Sequence, residues 1–240
     1  MKVIICKNYD EMSAAAAEIV ADVMKANPAC VLGLATGSTP VGMYKKLIEK
    51  NAAGEIDFSA VTTVNLDEYY PISPENDQSY RYFMNENLFN HVNIDKTRTF
   101  VPDGQAANPE AACEAYEKTV AAVGAADIQV LGIGRNGHIG FNEPDAALEV
   151  RTHVTGLTES TIKANARFFA SEADVPTKAL TMGIGTILNA KKIIILANGA
   201  AKHAAVSKML EGKLDTSCPA SLLNLHADVT VICDEAALNG

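Results

Sequence analysis

A glycine-rich loop between Gly134 and Pro144 holds the side chains best suited to acid–base chemistry. His138 can take up and release a proton near neutral pH. Glu143 follows five residues later, close enough in a looped segment to orient the imidazole, and Asn136 offers an amide that can hold a substrate hydroxyl. The alternative is a histidine that only fills the core, which is more typical of an apolar helix face than of a glycine loop. The pattern predicts a proton-transfer site.

The same loop formally matches a dinucleotide-binding fingerprint, because Gly132, Gly134 and Gly137 have the spacing GxGxxG. That fingerprint requires a long helix directly behind the glycines. Pro144 and the absence of helical periodicity in the following residues argue against such a helix. We therefore reject a dinucleotide site at this loop.

A second acidic position follows the apolar segment VTTVNL. Asp67 comes directly after this segment, and a carboxylate at the end of a strand can act as a general base that moves a proton on and off carbon. The alternative is a surface acid that begins a loop. Glu68 competes with Asp67 for the role, but neighbouring residues of a strand point to opposite sides, so we expect at most one to face a ligand.

Three further segments are candidates for binding an anion. Thr36-Gly37-Ser38 follows the strand pattern VLGLA and precedes a helical pattern, so backbone N–H groups and the helix dipole favour a phosphate there. The alternative is an ordinary turn, capped by Thr39 and with Pro40 in the first helical position. Arg167 and Lys202 can grip a phosphate, or can be solvated surface charges.

These residues must be positioned by elements that alternate along the chain between short β-branched segments and amphipathic helical patterns. The predicted strands are Val3–Cys6, Cys30–Ala35, Val61–Leu66, Thr99–Val101, Ile128–Ile133, Ala179–Met182, Lys192–Leu196 and Val229–Cys233. The predicted helices are Asp10–Ala26, with Asp10 as its cap, Val41–Asn51, Ser79–Val92, Pro109–Val123 and Ala200–Glu211.

Several strands are continuously apolar, as in sheets covered on both faces. The pattern predicts an open, mostly parallel, Rossmann-like α/β sheet with helices on both faces, forming a single domain over residues 1–240. Ligands bind such sheets beyond the carboxyl ends of the strands.

Composition excludes several classes of partner. With 20 Lys and Arg against 29 Asp and Glu, the formal net charge of the 240 residues is −9, which disfavours nucleic acid and anionic membranes. The N-terminal apolar run is too short for a signal peptide, and no stretch approaches the roughly 20 apolar residues that span a bilayer. The five cysteines are widely spread without a CxxC pair, so neither a disulfide framework nor a zinc site is expected. These features favour the cytoplasm.

Taken in order, five segments make the sequence resemble the glucosamine-6-phosphate deaminase family, also called the glucosamine/galactosamine-6-phosphate isomerases. They are LGLATGSTPVGMY (Leu32–Tyr44), VNLDEYY (Val64–Tyr70), GIGRNGHIGFNEP (Gly132–Pro144), NARFF (Asn165–Phe169) and NGAAKHAAV (Asn198–Val206). The resemblance implies conversion of glucosamine 6-phosphate and water to fructose 6-phosphate and ammonia, in amino-sugar catabolism. It implies a small sugar phosphate as partner and neither a metal nor an organic cofactor.

The resemblance also implies a role for each candidate. Asp67 would move the proton between C2 and C1 of the sugar, and His138 would serve ring opening with support from Glu143 and Asn136. The phosphate would be held by the Thr36–Ser38 loop, Arg167 and Lys202.

Two features depart from the family pattern. Many members have Asp where this chain has Asn136, and a neutral amide can orient His138 but cannot stabilise its protonated form by charge. The ring-opening relay would then depend more on Glu143. The chain also ends at Gly240 without the longer C-terminal segment of allosterically regulated members, and residues 150–155 are poor in cations. We therefore expect neither activation by N-acetylglucosamine 6-phosphate nor the associated hexamer, and the oligomeric state stays open.

Two alternatives to the deaminase remain. A 6-phosphogluconolactonase of the same fold would use the histidine as a base for lactone hydrolysis and would not require an acid such as Asp67. A non-catalytic sugar-phosphate sensor would bind without turnover. The sensor is disfavoured by the net charge of −9, by the lack of a DNA-binding segment before residue 10, and by the presence of base, imidazole and carboxylate together.

Overall fold

The computed structural model describes residues 1–157, 162 and 175–240. Its main sheet has seven strands in the order β1-β10-β9-β6-β2-β3-β5, and every neighbouring pair is parallel. These strands are β1 (Lys2–Cys6), β2 (Val31–Leu34), β3 (Thr62–Asn65), β5 (Thr99–Phe100), β6 (Ile128–Gly132), β9 (Ile193–Ala197) and β10 (Val229–Asp234). Each corresponds to a predicted strand within two residues at either end.

Seven α-helices are described around the sheet. They are α1 (Tyr9–Ala26), α2 (Val41–Ala52), α3 (Tyr80–Met84), α4 (Pro109–Val123), α5 (Ile184–Leu188), α6 (His203–Leu210) and α7 (Glu235–Asn239). The two sides of the sheet carry separate apolar cores, with α1 and α2 over one side and α6 over the other. This arrangement confirms the predicted fold class, and it explains why central strands such as β9 are buried along their whole length. None of the described helices is long and apolar enough to cross a bilayer.

A second sheet has three antiparallel strands in the order β4-β8-β7, which the sequence analysis did not predict. Its strands are β4 (Asp67–Tyr70), β7 (His153–Gly156) and β8 (Lys178–Thr181). The apolar run of β8 was predicted as a strand, but β4 and β7 are short and carry polar residues, so they lack the apolar pattern of a strand. Leu66 joins the sheets: its N–H donates to the Leu34 carbonyl of β2, and its own carbonyl accepts from the Met182 N–H.

Helix ends also differ from the prediction in three places, one of which is the predicted start at Ala200, where a 3-10 turn (Ala200–Lys202) precedes α6. Asn8, rather than Asp10, caps α1, because the Asn8 side chain accepts a hydrogen bond from the Glu11 N–H at 3.0 Å. The helix predicted over residues 79–92 is α3 followed by a single π-helical stretch, Asn85–Phe89. Polar side chains that compete for backbone hydrogen bonds at these ends decide boundaries that periodicity alone does not resolve.

Strand order places a topological switch between β2 and β6. The chain leaves β2 toward β3 on one side, and it leaves β6 toward β9 on the other side. Loops after two such strands diverge and leave a crevice beyond their carboxyl ends, where ligands bind in open α/β sheets. The crevice lies between the loop after residue 34 and the loop after residue 132.

Opposite the crevice, at the amino ends of the central strands, Asp127 ties the sheet together. Its Oδ2 accepts from the Val31 N–H at 2.8 Å, and its Oδ1 accepts from Lys191 Nζ at 2.7 Å. Burial opposes ionisation of Asp127, but the hydrogen bonds from Lys191 and Val31 outweigh it and lower the pKa of this carboxyl. The folded state therefore stabilises the carboxylate.

We expect Asp127→Ala to lower the free energy of unfolding at pH 7 by about 1–3 kcal/mol, since it leaves a buried N–H without an acceptor. Because the pKa is lower in the folded state, the difference from wild type is largest above the pKa of an unfolded aspartate. It shrinks as the pH falls through the folded value. Urea titrations between pH 3 and pH 7 measure this. The matched control is Asp228→Ala, which breaks the Lys192–Asp228 ion pair of 2.7 Å, in which the carboxylate is more exposed than that of Asp127. We expect that control to change stability by less than about 1 kcal/mol, and an equal loss in both variants contradicts the assignment.

Candidate active site

Four adjacent strands of the main sheet, β9-β6-β2-β3, end in the segments that carry the candidate residues. The Thr36–Ser38 loop follows β2, Asp67 comes two residues after β3, the glycine loop follows β6 and Lys202 comes five residues after β9. Because parallel strands end at the same edge, segments that are remote in sequence meet at the crevice. Arg167 lies outside the described residues.

The glycine loop holds an arrangement of three polar side chains. Asn136 Nδ2 donates to Glu143 Oε2 at 2.6 Å, and the backbone N–H of His138 donates to Asn136 Oδ1 at 3.2 Å. Nδ1 of His138 lies 3.3 Å from Glu143 Oε1, at ion-pair distance but outside the alignment of a hydrogen bond. Asn136 therefore fixes both the carboxylate and the backbone that carries the imidazole. The structure brings these three predicted residues together.

The loop requires a glycine at position 134, directly under the imidazole of His138. A Cβ atom at this position would lie 2.4 Å from two atoms of the His138 ring. The N–H of Gly134 also donates to the His138 carbonyl at 2.9 Å, which closes the loop on itself. The ring therefore packs directly on the Gly134 backbone, while 27% of the His138 side chain stays exposed to a ligand.

Asp67 is the first residue of β4, and its side chain is buried beside the glycine loop. The residue is 6% exposed, and a Cβ atom on Gly140 would lie 3.6 Å from Asp67 Oδ2. Burial raises the pKa of the Asp67 carboxyl well above its usual range, and the neighbouring charge of Glu68 raises it further. Prediction placed Asp67 at the end of the strand before it. It instead begins the second sheet, but at the same edge of the fold.

Glu68 is the neighbour of Asp67 in β4, and it stabilises the local fold. Its carboxylate accepts backbone hydrogen bonds from Tyr69 at 2.9 Å, Tyr80 at 2.7 Å and Arg81 at 2.9 Å, so it binds the start of α3. Burial raises the pKa of Glu68, although these three N–H groups oppose the shift. The expectation that only one of the two acids faces the crevice agrees with this geometry.

Thr181 was missed by sequence reasoning, although it links Asp67 to the glycine loop. It lies opposite Asp67 in the β4–β8 register, and its Oγ1 accepts from the Phe141 N–H at 3.1 Å. Nearby, Asn142 Nδ2 donates to the carbonyls of Ile139 and Met182. The sequence signal at Thr181 was weak, because a threonine within an apolar segment is a common residue of β-strands.

Lys202 reaches the carboxyl end of β6. Its Nζ donates to the Ile133 carbonyl at 2.6 Å and is half-buried. Burial lowers the pKa of Lys202, and the positive charge of Arg135 lowers it further. Two cations thus lie on the β6 side of the crevice. Arg135 was not among the predicted residues, since an exposed arginine in a loop has no pattern that distinguishes it from a solvated charge.

The Thr36–Ser38 loop turns at Gly37, whose φ of +87° disfavours any side chain. The following helix α2 begins at Val41, with Pro40 as its N-cap and without a side-chain cap. The interpretation of Thr39 as a cap is therefore wrong. Gly37 and Ser38 are exposed, and α2 directs its N-terminal N–H groups toward the loop.

A cavity of about 520 Å³ adjoins this loop, lined among others by Tyr9, Ser38, Gly42 and Asn198. None of the acid–base residues lines this cavity. His138 and Glu143 lie in the glycine loop after β6, and Asp67 lies beside Gly140 of the same loop. Among the described residues, no group of three or more His, Cys, Asp or Glu side chains is arranged to hold a metal ion.

Several known proteins are similar to this chain in sequence and in fold. Glucosamine-6-phosphate deaminase from Clostridium perfringens is 58% identical over 237 residues, covering 99% of this chain and 98% of the relative. The enzyme of that name from Clostridium beijerinckii is 55% identical over 239 residues, covering 100% of this chain and 99% of the relative. A solved structure of a monomeric glucosamine-6-phosphate deaminase has a TM-score of 0.96 at 51% identity, covering 99% of this chain and 98% of the other.

More distant structures share the fold alone. 6-Phosphogluconolactonase from Trypanosoma brucei has a TM-score of 0.79 at 20% identity, over 98% of this chain and 97% of the other. The sequence profile of the family described as glucosamine-6-phosphate isomerases/6-phosphogluconolactonase matches residues 7–232. The match spans nearly the whole chain and includes all five segments on which the resemblance rests. Four of these segments lie within the described residues. The chain therefore belongs to the glucosamine-6-phosphate isomerase/6-phosphogluconolactonase family.

Proposed function

We propose that this chain is a glucosamine-6-phosphate deaminase that converts glucosamine 6-phosphate and water to fructose 6-phosphate and ammonia. The observation that carries the proposal is the pairing of a buried Asp67 with the Asn136–Glu143–His138 arrangement across one crevice. Hydrolysis of a lactone does not require a base such as Asp67. The deaminases at 55–58% identity over nearly the whole chain support the same assignment.

His138 acts first, at the ring oxygen and the anomeric hydroxyl. The closed pyranose must open before the hydrogen on C2 becomes acidic, and opening needs a proton delivered to the ring oxygen while the anomeric hydroxyl loses one. The partly exposed imidazole carries out this transfer. Glu143 orients the ring at 3.3 Å, and Asn136 holds Glu143 in place at 2.6 Å.

Asp67 then removes the proton from C2 and returns it to C1 of the open sugar, while the oxygen on C1 gains a proton and the amino nitrogen loses one. Transfer between adjacent carbons needs one carboxylate on one face of the substrate. Since burial raises the pKa of Asp67, its ionised form is a stronger base than an exposed aspartate. The product of this step is an imine at C2, which adds water and expels ammonia to leave the ketone of fructose 6-phosphate.

The phosphate binds at the Thr36–Ser38 loop on the β2 side of the crevice, and Lys202 reaches it from the β6 side. The exposed Thr36–Ser38 loop supplies backbone N–H groups and hydroxyls, and Lys202 supplies a positive charge. Arg167 completes the set by its match to the family motif. Binding energy from this non-reacting group positions C1 and C2 against Asp67 and His138.

We further propose that residues 1–240 act as a single domain in the cytoplasm, in amino-sugar catabolism, and as a monomer. The monomer is supported by the 51% identical deaminase, which is described as monomeric. Activation by N-acetylglucosamine 6-phosphate is not part of this proposal.

The function is tested by mixing the purified chain with glucosamine 6-phosphate. We expect ammonia and fructose 6-phosphate in equal amounts, because one imine is hydrolysed for each sugar isomerised. Parallel assays with 6-phosphogluconolactone, and binding of glucosamine 6-phosphate by calorimetry, separate the alternatives. Lactone hydrolysis without ammonia release assigns the chain to the lactonases, and binding without turnover of either compound makes it a sensor.

The role of Asp67 is tested by Asp67→Asn, with Glu68→Gln as the matched control. In D₂O we expect wild type to exchange the C2 proton with solvent and Asp67→Asn to lose this exchange by roughly 10²-fold or more, while affinity for inorganic phosphate is retained. Glu68→Gln is expected to lower stability more than exchange, since Glu68 accepts three backbone hydrogen bonds. Normal exchange in Asp67→Asn would remove this residue from the mechanism.

Asp67→Asn has a second expected effect, on stability. Because the pKa of Asp67 is raised in the folded state, ionisation opposes folding. The wild type thus loses stability as the pH rises from the ordinary range of an aspartate toward the raised value. The variant lacks this loss, so its melting temperature should exceed that of wild type at pH 8 and approach it at pH 4. Calorimetric melting at both pH values measures the gap, and a gap of the opposite sign refutes the burial argument.

The role of Asn136 is tested by Asn136→Asp. An aspartate there would lie about as close to Glu143 as the amide does, at 2.6 Å, and two carboxylates at that distance share a proton. We therefore expect the pH–rate profile of kcat/KM to shift relative to wild type, with the melting temperature nearly unchanged because Asn136 is exposed. An identical profile shows that charge at this position does not matter.

A further inference from the structure

We propose that Tyr9 and Tyr44 are positioning residues that hold the Thr36–Ser38 loop in the shape that receives the substrate phosphate. The inference rests on the function proposed above, which assigns the phosphate to this loop. Neither tyrosine belongs to the acid–base set. Each uses its hydroxyl on backbone atoms at one end of the loop.

Tyr9 holds the end of the loop. Its Oη donates to the Ser38 carbonyl at 2.9 Å and accepts from the Gly42 N–H of α2 at 2.8 Å. One phenol therefore joins the last loop residue to the first turn of the helix. The first N–H groups of a helix have no partner within the helix. Tyr9 satisfies one of them and sets the orientation of the loop relative to the remaining donors.

Tyr44 holds the start of the loop. Its Oη donates to the Ala35 carbonyl at 2.5 Å, and its side chain, which α2 carries, is fully buried. Burial raises the pKa of Tyr44, so its hydroxyl stays protonated and remains a donor. Ala35 directly precedes Thr36. The carbonyls at both ends of the loop are thus held by phenols from two different helices, while Gly37 in the middle has the positive φ that the turn requires.

The sequence around Tyr9 shows why its phenol reaches the loop. Asn8 caps α1 through the Glu11 N–H, and Glu11 Oε2 accepts from the Lys7 N–H at 3.0 Å, which fixes the first turn. One turn later Ser13 packs on Gly42, where a Cβ atom would lie 2.2 Å from Ser13 Oγ and 2.9 Å from the Tyr9 ring. The glycine at position 42 permits the close approach of α1 and α2 on which the Tyr9 contact depends.

A loosened loop would weaken phosphate binding and leave the acid–base groups untouched. We expect Tyr9→Phe to raise both the KM for glucosamine 6-phosphate and the inhibition constant of inorganic phosphate by roughly three- to tenfold. Since the phosphate does not react, kcat should stay within about twofold of wild type. Amide hydrogen exchange at Gly42 should become faster, because its acceptor is lost.

Tyr70→Phe is the matched control. Tyr70 is also half-buried, and its hydroxyl also donates to a backbone carbonyl, that of Ala106 at 3.0 Å. We expect this variant to keep the phosphate inhibition constant of wild type. Gly42→Ala tests the same contact by another route, since the added methyl group displaces Tyr9 and Ser13, and it should raise the inhibition constant like Tyr9→Phe.

An active Tyr9→Phe variant with unchanged KM and unchanged phosphate inhibition overturns the inference while the proposed function stands. An equal fall of kcat in the Tyr9→Phe and Tyr70→Phe variants also overturns it, because general destabilisation then explains the effect. If the wild type releases no ammonia, the proposed function fails separately. The inference is then decided by the rise in melting temperature that inorganic phosphate produces, which must be smaller in Tyr9→Phe than in wild type to support it.

Discussion

The burial of one carboxyl group, that of Asp67, is the constraint on which the site depends. Asp67 begins β4 at the junction of the parallel and antiparallel sheets, beside Gly140 and opposite Thr181. An ionisable group in such a place costs stability, because the folded state disfavours its charge. A side chain at position 140 would press against Thr181, because its Cβ atom would lie 2.9 Å from Thr181 Oγ1 and 3.6 Å from Asp67 Oδ2. The surrounding structure therefore packs closely around a carboxyl whose ionised form the fold disfavours.

The rest of the site is positioned by strand order. Four adjacent strands end at one edge, and the switch between β2 and β6 separates the Thr36–Ser38 loop from the glycine loop. Phenols secure the ends of these strands: Tyr44 donates to the Ala35 carbonyl after β2, and Tyr116 donates to the Asn65 carbonyl of β3 at 2.6 Å. In the proposed mechanism, a rigid edge of this kind lets residues that are distant in sequence, such as Lys202 and Asp67, act on one small substrate.

Much of this could be predicted from the sequence, because the central strands are continuously apolar and the glycine loop is distinctive. The predicted residues Asn136, His138 and Glu143 lie together in the structure. Prediction failed where tertiary contacts decide. The strand β4 carries the polar sequence DEYY and is formed by pairing with β8, and Glu68 binds α3 through backbone groups that no side-chain pattern reveals. Tyr9 lies one residue before the predicted start of α1, and its contact with Ser38 depends on how α1 and α2 pack.

The most direct test of the central claim is a carbon-13 NMR titration of the Asp67 carboxyl in the substrate-free protein, assigned by comparison with the Asp67→Asn variant. Burial and the charge of Glu68 raise the pKa of Asp67, so its resonance should titrate well above the range of an exposed aspartate. In Glu68→Gln the midpoint should fall, since one of the two causes is removed, yet remain raised by burial. A midpoint for wild type in the ordinary range of an aspartate would contradict the claim that this carboxyl is held as a buried, strengthened base.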